Sequence, residues 1–208
     1  MKKLRPIIIL LSVLSAVLYN SWPLGYSLDP GVIEHSYLSV LEVSGRPYRW
    51  VFVLCDVLAT TLALIIGILI WRSNKPARNS LIGFIVFSLA TYFEALLPID
   101  CTGSIKACGT SLSQVLSIHD TASILSAFGL LASLWLCVRF ARRYKLDNKY
   151  YKLSLASFWA WSLSGLFLIA SVGLNRFSEV SQIVFVVMCG LAIISIALIL
   201  SLPGKQKT

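Results

Sequence analysis

The sequence predicts an all-α membrane protein, a polytopic helical bundle of about six transmembrane helices with both termini in the cytoplasm. Three observations carry that prediction. The 208-residue chain is 57% hydrophobic and only 13% charged, with a mean hydropathy of +0.81, whereas a soluble domain carries roughly 25% charge. Its apolar residues gather into stretches close to the roughly 20 residues that cross a hydrocarbon core as helix. Its basic residues gather in alternate connections between those stretches.

The expected spans are about Pro6–Leu24, Trp50–Trp71, Leu81–Leu97, His119–Val138, Leu153–Leu174 and Val180–Leu202. They form one membrane domain over 1–208, with too little chain left for a separate soluble domain. Lipid offers no partner to an unpaired N–H or C=O, so each span must be helical, and the alternation of a barrel strand is absent. The first span is the least regular. Its basic start and short apolar run, Pro6–Tyr19, resemble a signal peptide. Leu14 stands where cleavage needs a small residue, so an uncleaved anchor is expected.

Orientation follows from charge. One side collects Lys2, Lys3, Arg5, Arg72, Lys75, Arg78, Arg139, Arg142, Arg143, Lys145, Lys149, Lys152, Lys205 and Lys207, which is 14 of the 18 basic residues. The other keeps Arg46, Arg49, Lys106 and Arg176, mixed with Asp29, Glu34, Glu42, Asp100 and Glu179. Basic loops stay in the cytoplasm, and in a prokaryote the membrane would be the plasma membrane. The net charge of +9 is then an orientation signal and a contact with anionic lipid rather than a nucleic-acid footprint. Tyr48, Trp50, Trp71, Tyr150 and Tyr151 fall at the expected interfaces, where aromatic rings are favoured. In span five Ala156, Ala160 and Ser164 recur every four residues, a spacing read as helix packing.

Two outer loops stand out. In the longer, about Gly25–Arg49, Asp29-Pro30 is a helix start and Gly45 a stop. Ile33, Tyr37, Leu38 and Leu41 keep helical spacing, and His35, Ser39 and Glu42 fall on another face. A short amphipathic helix on the outer surface is expected, either as an interfacial anchor or as a lid. The second loop carries Cys101 and Cys108, spaced C-x6-C. Facing an oxidising compartment, they are expected to form a structural disulfide. A redox pair would want C-x-x-C and a second relay pair, and Cys55, Cys137 and Cys189 lie inside spans.

An ionisable group inside a span is costly and marks a candidate site. Asp56 lies six residues into span two, about 9 Å below its outer start at about 1.5 Å per residue. Glu94 lies near the outer end of span three, and His119 and Asp120 open span four. These four should share one depth and line a pocket open to the outside. Thr60 and Thr91 sit one turn below Asp56 and Glu94, and Ser123 and Ser126 share a face with His119.

Several roles suit such a pocket. It could hold a lipid headgroup or small polar ligand without catalysis. Asp56, His119 and Asp120 could hold zinc and activate water for a membrane lipid hydrolase. The acids could relay protons in a carrier. They could also serve only to glue helices together. Supply weighs against metal: His35 and His119 are the only histidines, and neither forms an H-x-x-x-H pair. The chain has no Gly-rich phosphate loop, no G-x-S-x-G elbow and no twin-cysteine zinc pattern. The absence of an obvious internal repeat weakens the inverted-repeat transporter reading. The leading expectation is lipid or small-ligand recognition with no cofactor.

Asn20-Ser21-Trp22, Ser36-Tyr37-Leu38-Ser39, Arg49-Trp50 leading to Asp56, and Leu96-Leu97-Pro98-Ile99-Asp100-Cys101 followed by Cys108 and His119 resemble domain-of-unknown-function family 998. These pieces cover roughly the first four spans. The resemblance implies a multi-span prokaryotic fold of unassigned activity. It also implies that Asp56, Asp100, Cys101, Cys108 and His119 belong to one outward-facing feature. A looser similarity is to membrane hydrolases of the alkaline-ceramidase type, whose seven spans and several zinc-binding histidines this chain does not match.

Overall fold

A computed structural model describes residues 3–29, 38–43, 45–97, 118–174 and 176–203, apart from the side chains of Ser39, Ile118, Asp120 and Ser178. Cys101, Cys108, Asp100, Pro30 and His35 lie outside these described residues, as does the expected disulfide. The elements are α1 (Arg5–Tyr19), α2 (Pro23–Leu28), a 3-10 turn (Leu38–Glu42), α3 (Arg49–Ser73), a second 3-10 turn (Lys75–Ala77), α4 (Arg78–Leu96), α5 (Ile118–Arg143), α6 (Asn148–Leu174) and α7 (Ser178–Leu200). There is no strand among the described residues. Five helices, α3 to α7, are long and apolar enough to cross a membrane, and α1 is a shorter apolar helix.

Consecutive long helices pack side by side, and α7 returns to α1, so the six helices close into a ring in chain order. α7 also reaches α3 and α5, which makes it the most central. It is the most hydrophobic of the spans and half buried, as expected of a helix with protein on several sides. The main core gathers Ile8, Ile66, Ile70, Phe84, Phe87, Leu130, Leu134, Ile193 and Ile196. Serines join the helices by hydrogen bonds to backbone: Ser15 Oγ donates to the Ala59 carbonyl at 2.7 Å, and Ser133 Oγ to that of Ser80 at 3.3 Å.

The two ends of the ring differ in chemistry. One end carries Arg5, Arg72, Lys75, Arg78, Arg142, Arg143 and Lys149, and α5 and α6 extend there beyond their expected apolar cores. Asn74 ties this end together. It is 4% exposed, and its Nδ2 donates to the carbonyls of Leu200 at 2.7 Å and Leu202 at 2.9 Å, which the end of α7 would otherwise leave bare. Asn74→Leu is expected to destabilise by about 1–2 kcal/mol through those two lost bonds, read as an earlier thermal transition in detergent. An unchanged transition would show the carbonyls to be satisfied otherwise.

Three expectations are corrected. The first span is shorter than Pro6–Leu24: α1 stops at Tyr19, the Asn20 amide donates back to the Ala16 carbonyl at 2.9 Å, and Pro23 begins a separate helix. Asp29 closes α2 and its carboxylate pairs with Arg46 at 3.6 Å, while the helix start expected at Asp29-Pro30 runs into residues outside the described ones. The described part of the outer loop, Leu38–Glu42, is a 3-10 turn and not a surface-lying helix. Leu38, Val40, Leu41 and Val43 are buried with Phe52 against Ile183 and Val186, so burial outweighs the interfacial position. Finally, Ala156 and Ala160 are exposed. The buried face of α6 is Ser154, Trp161, Ser164 and Ser171 instead.

Candidate functional site

The other end of the ring collects the acids. The up-and-down order of the helices places the start of α3, the end of α4 and the start of α5 together. Asp56, Glu94 and His119, separated widely in sequence, thereby reach one cavity of about 100 Å³. Tyr19 ends α1 on one wall, Ser21 and Trp22 follow it, and Gln182 and Val186 contribute from α7. Leu38, Leu41 and Glu42 of the 3-10 turn bring the outer loop onto the same cavity. The side chain of Asp120 lies outside the described residues.

His119 is held from both ring nitrogens. Nδ1 lies 3.0 Å from the Leu97 carbonyl and 3.2 Å from that of Glu94. A carbonyl only accepts, so Nδ1 carries the proton in this assignment. Nε2 then faces the Glu94 carboxylate at 3.9 Å. Ser123 Oγ donates to the same carboxylate at 2.5 Å and also lies 3.1 Å from the His119 carbonyl. Glu94 is thus fixed between α4 and α5 by an imidazole and a hydroxyl.

On the opposite wall the Glu42 and Asp56 side chains hydrogen-bond each other. A bond between two carboxyl groups needs at least one of them protonated, so the pair carries a proton between its oxygens. Burial pushes the Glu42 carboxyl up to about 7, and the Glu94 charge adds to the push. Its bond to Asp56 and the charges of His119 and Arg49 act the other way. Thr60 Oγ1 donates to the Asp56 carbonyl at 2.8 Å, so that hydroxyl is spent on its own helix. Thr91 differs: it is 2% exposed, lines the cavity, and its Oγ1 has no hydrogen-bond partner. The Trp22 indole N–H is likewise buried without a partner.

Three of the four residues picked from sequence are placed, and all three meet. Glu42, Tyr19, Trp22 and Gln182 were missed as site residues. Glu42 reads as the polar face of a surface helix, and Tyr19 as the end of the first apolar run. The available signal was the density of apolar residues around Glu42, with Leu38, Val40, Leu41 and Val43 exceeding what a surface helix needs. Among the described residues no three His, Cys, Asp or Glu side chains form a group that could hold a metal ion. The zinc set expected of Asp56, His119 and Asp120 includes one side chain, that of Asp120, outside the described residues.

Fold and site together define a multi-pass helical membrane protein with a half-open, carboxyl-rich cavity at one end of its ring. The chain belongs to the family described as "Protein of unknown function (DUF998)", whose pattern matches residues 9–201. The family thus spans the whole ring, including the last two spans that the sequence pieces alone did not reach. No curated protein and no solved structure matches the chain.

Proposed function

We propose that the protein sits in the plasma membrane with cytoplasmic termini and recognises a lipid headgroup or small polar ligand, without catalysis, in the cavity between α1, α3, α4, α5 and α7. The observation that carries this reading is Thr91, a fully buried hydroxyl facing a cavity with no partner for its Oγ1. Buried polar groups are ordinarily satisfied, and in a chain where hydroxyls such as those of Ser15, Thr60, Ser88 and Ser164 bond backbone carbonyls, an unpaired one beside a cavity marks a place for a ligand atom. Helix glue alone would leave neither the cavity nor the unpaired groups. The cavity is smaller than the roughly 300–1,000 Å³ of sites that enclose a whole small molecule, which favours recognition of one terminal group.

The test is ligand-induced thermal stabilisation of the purified protein against a panel of lipids and polar solutes. Wild type is expected to respond to at least one class, and Asp56→Ala to fold but lose about tenfold in affinity, because a charge-assisted partner is gone. Equal stabilisation of both proteins would overturn the assignment. A second reading, a proton-coupled carrier, is favoured by the proton shared between Glu42 and Asp56. It expects pH-dependent uptake into vesicles that Asp56→Asn abolishes.

A further inference from the structure

Resting on that reading, we infer that the group this cavity takes is a primary alkylammonium. The sign of the charge comes first. Glu42, Asp56 and Glu94 bring three carboxyl groups to the cavity, and His119 is its one basic side chain among the described residues. The nearby arginines are engaged elsewhere. Arg46 pairs with Asp29 at 3.6 Å. Arg49 donates from Nε to the Glu42 carbonyl at 2.8 Å and lies 4.4 Å over the Trp50 ring. Even with one proton between Glu42 and Asp56 and a protonated imidazole, the acids are not in deficit, and an anion would meet repulsion from every wall but one.

Hydrogen bonding narrows the choice further. The polar lining is dominated by acceptor oxygens, with the Thr91 hydroxyl unpartnered among them. An –NH3+ group presents three donors and no acceptor, the complement of such a lining. A quaternary ammonium carries the same charge and no N–H, and would leave Thr91 as it is. Tyr19, Trp22 and Phe52 also line the cavity, and aromatic faces favour a cation of either kind. The buried, unpartnered Trp22 N–H is a donor suited to an oxygen carried next to the amine. Size agrees. The volume of about 100 Å³ is well below the roughly 300–1,000 Å³ of sites that enclose a whole small molecule, in keeping with a methylammonium-sized head rather than a whole lipid.

The experiment uses the full chain in detergent, with methylammonium chloride, tetramethylammonium chloride and methyl phosphate as probes, read by calorimetry and thermal shift. Methylammonium is expected to bind about tenfold more tightly than tetramethylammonium, and methyl phosphate not to bind. Thr91→Val is expected to weaken methylammonium several-fold with the fold intact, and Asp56→Asn more strongly. The wild-type probe comparison decides the matter even if a variant fails to fold. Nanodiscs separate the sources: stabilisation by phosphatidylethanolamine over phosphatidylcholine assigns the amine to a lipid, and equal stabilities with a retained methylammonium response assign it to a free amine. Tighter binding of tetramethylammonium or methyl phosphate, lost in Asp56→Asn, would overturn the ammonium inference and leave the recognition reading standing. No response of wild type to any probe or headgroup would overturn both.

Discussion

Gly83→Ala is expected to destabilise the protein by about 3 kcal/mol, the largest single-residue effect in the bundle. α4 and α5 cross with backbone against backbone at this point. A Cβ on Gly83 would lie 2.6 Å from the Gly129 carbonyl oxygen and 2.7 Å from the Ser133 nitrogen, and one on Gly129 would lie 2.6 Å from the Phe87 nitrogen. None of these atoms is the loose end of a side chain, so relief requires the helices to separate. Separation would stretch the Ser133 hydroxyl bond to the Ser80 carbonyl, already 3.3 Å long, and loosen the packing of Phe84 and Phe87. The readout is the fraction of monodisperse protein surviving a heating series. Gly83→Ala and Gly129→Ala probe the same contact, so the double variant should cost less than the two single costs together. A Gly83→Ala protein as heat-resistant as wild type would disprove the close crossing.

The second large effect concerns pH. The buried Glu42 holds its proton up to about 7 in the folded protein, above its ordinary 4.5. Between those values the folded state keeps a proton that the unfolded chain releases. Stability from this group is therefore complete below about pH 4.5 and is lost as pH rises through about 7. Wild type should melt at a higher temperature at pH 5 than at pH 8, by an amount on the order of 2 kcal/mol in stability. Glu42→Gln should remove most of that slope and be the more stable protein at pH 8. Asp56, Glu94, His119 and Arg49 face Glu42 in both proteins, so the difference between the two curves reports Glu42 together with its bond to Asp56. Superimposable pH profiles would overturn the assignment of this buried acid.

The spans and the first members of the site were legible for one reason: a charge inside an apolar run is visible without knowing the fold. Asp56, Glu94 and His119 stand out that way, and counting turns places them at one depth because the helices alternate in direction. The missed features depend on who the neighbour is. Glu42 becomes a site residue only because Leu38 and Leu41 find Phe52 on α3 and Val186 on α7. Gly83 and Gly129 are unremarkable singly, and matter because the crossing of α4 and α5 brings them together. The small-residue stripe at Ala156 and Ala160 misled for the same reason. Small residues permit a close approach, but the rotation of α6, which is only 17% buried, is set by Trp161 and Ser157 meeting α7.

The length of α1 has a consequence for the lipid around it. Its 15 residues make a rod of about 22 Å, against a hydrocarbon thickness of about 30 Å. A short span is met by thinning of the adjacent leaflet, at fractions of a kcal/mol for each Å of mismatch. Tyr19, Ser21 and Trp22, at the end of that rod, form part of the cavity wall. The dimple they impose would draw the headgroup plane down on the side where the cavity lies, and would favour thinner regions of the membrane as the protein's resting place.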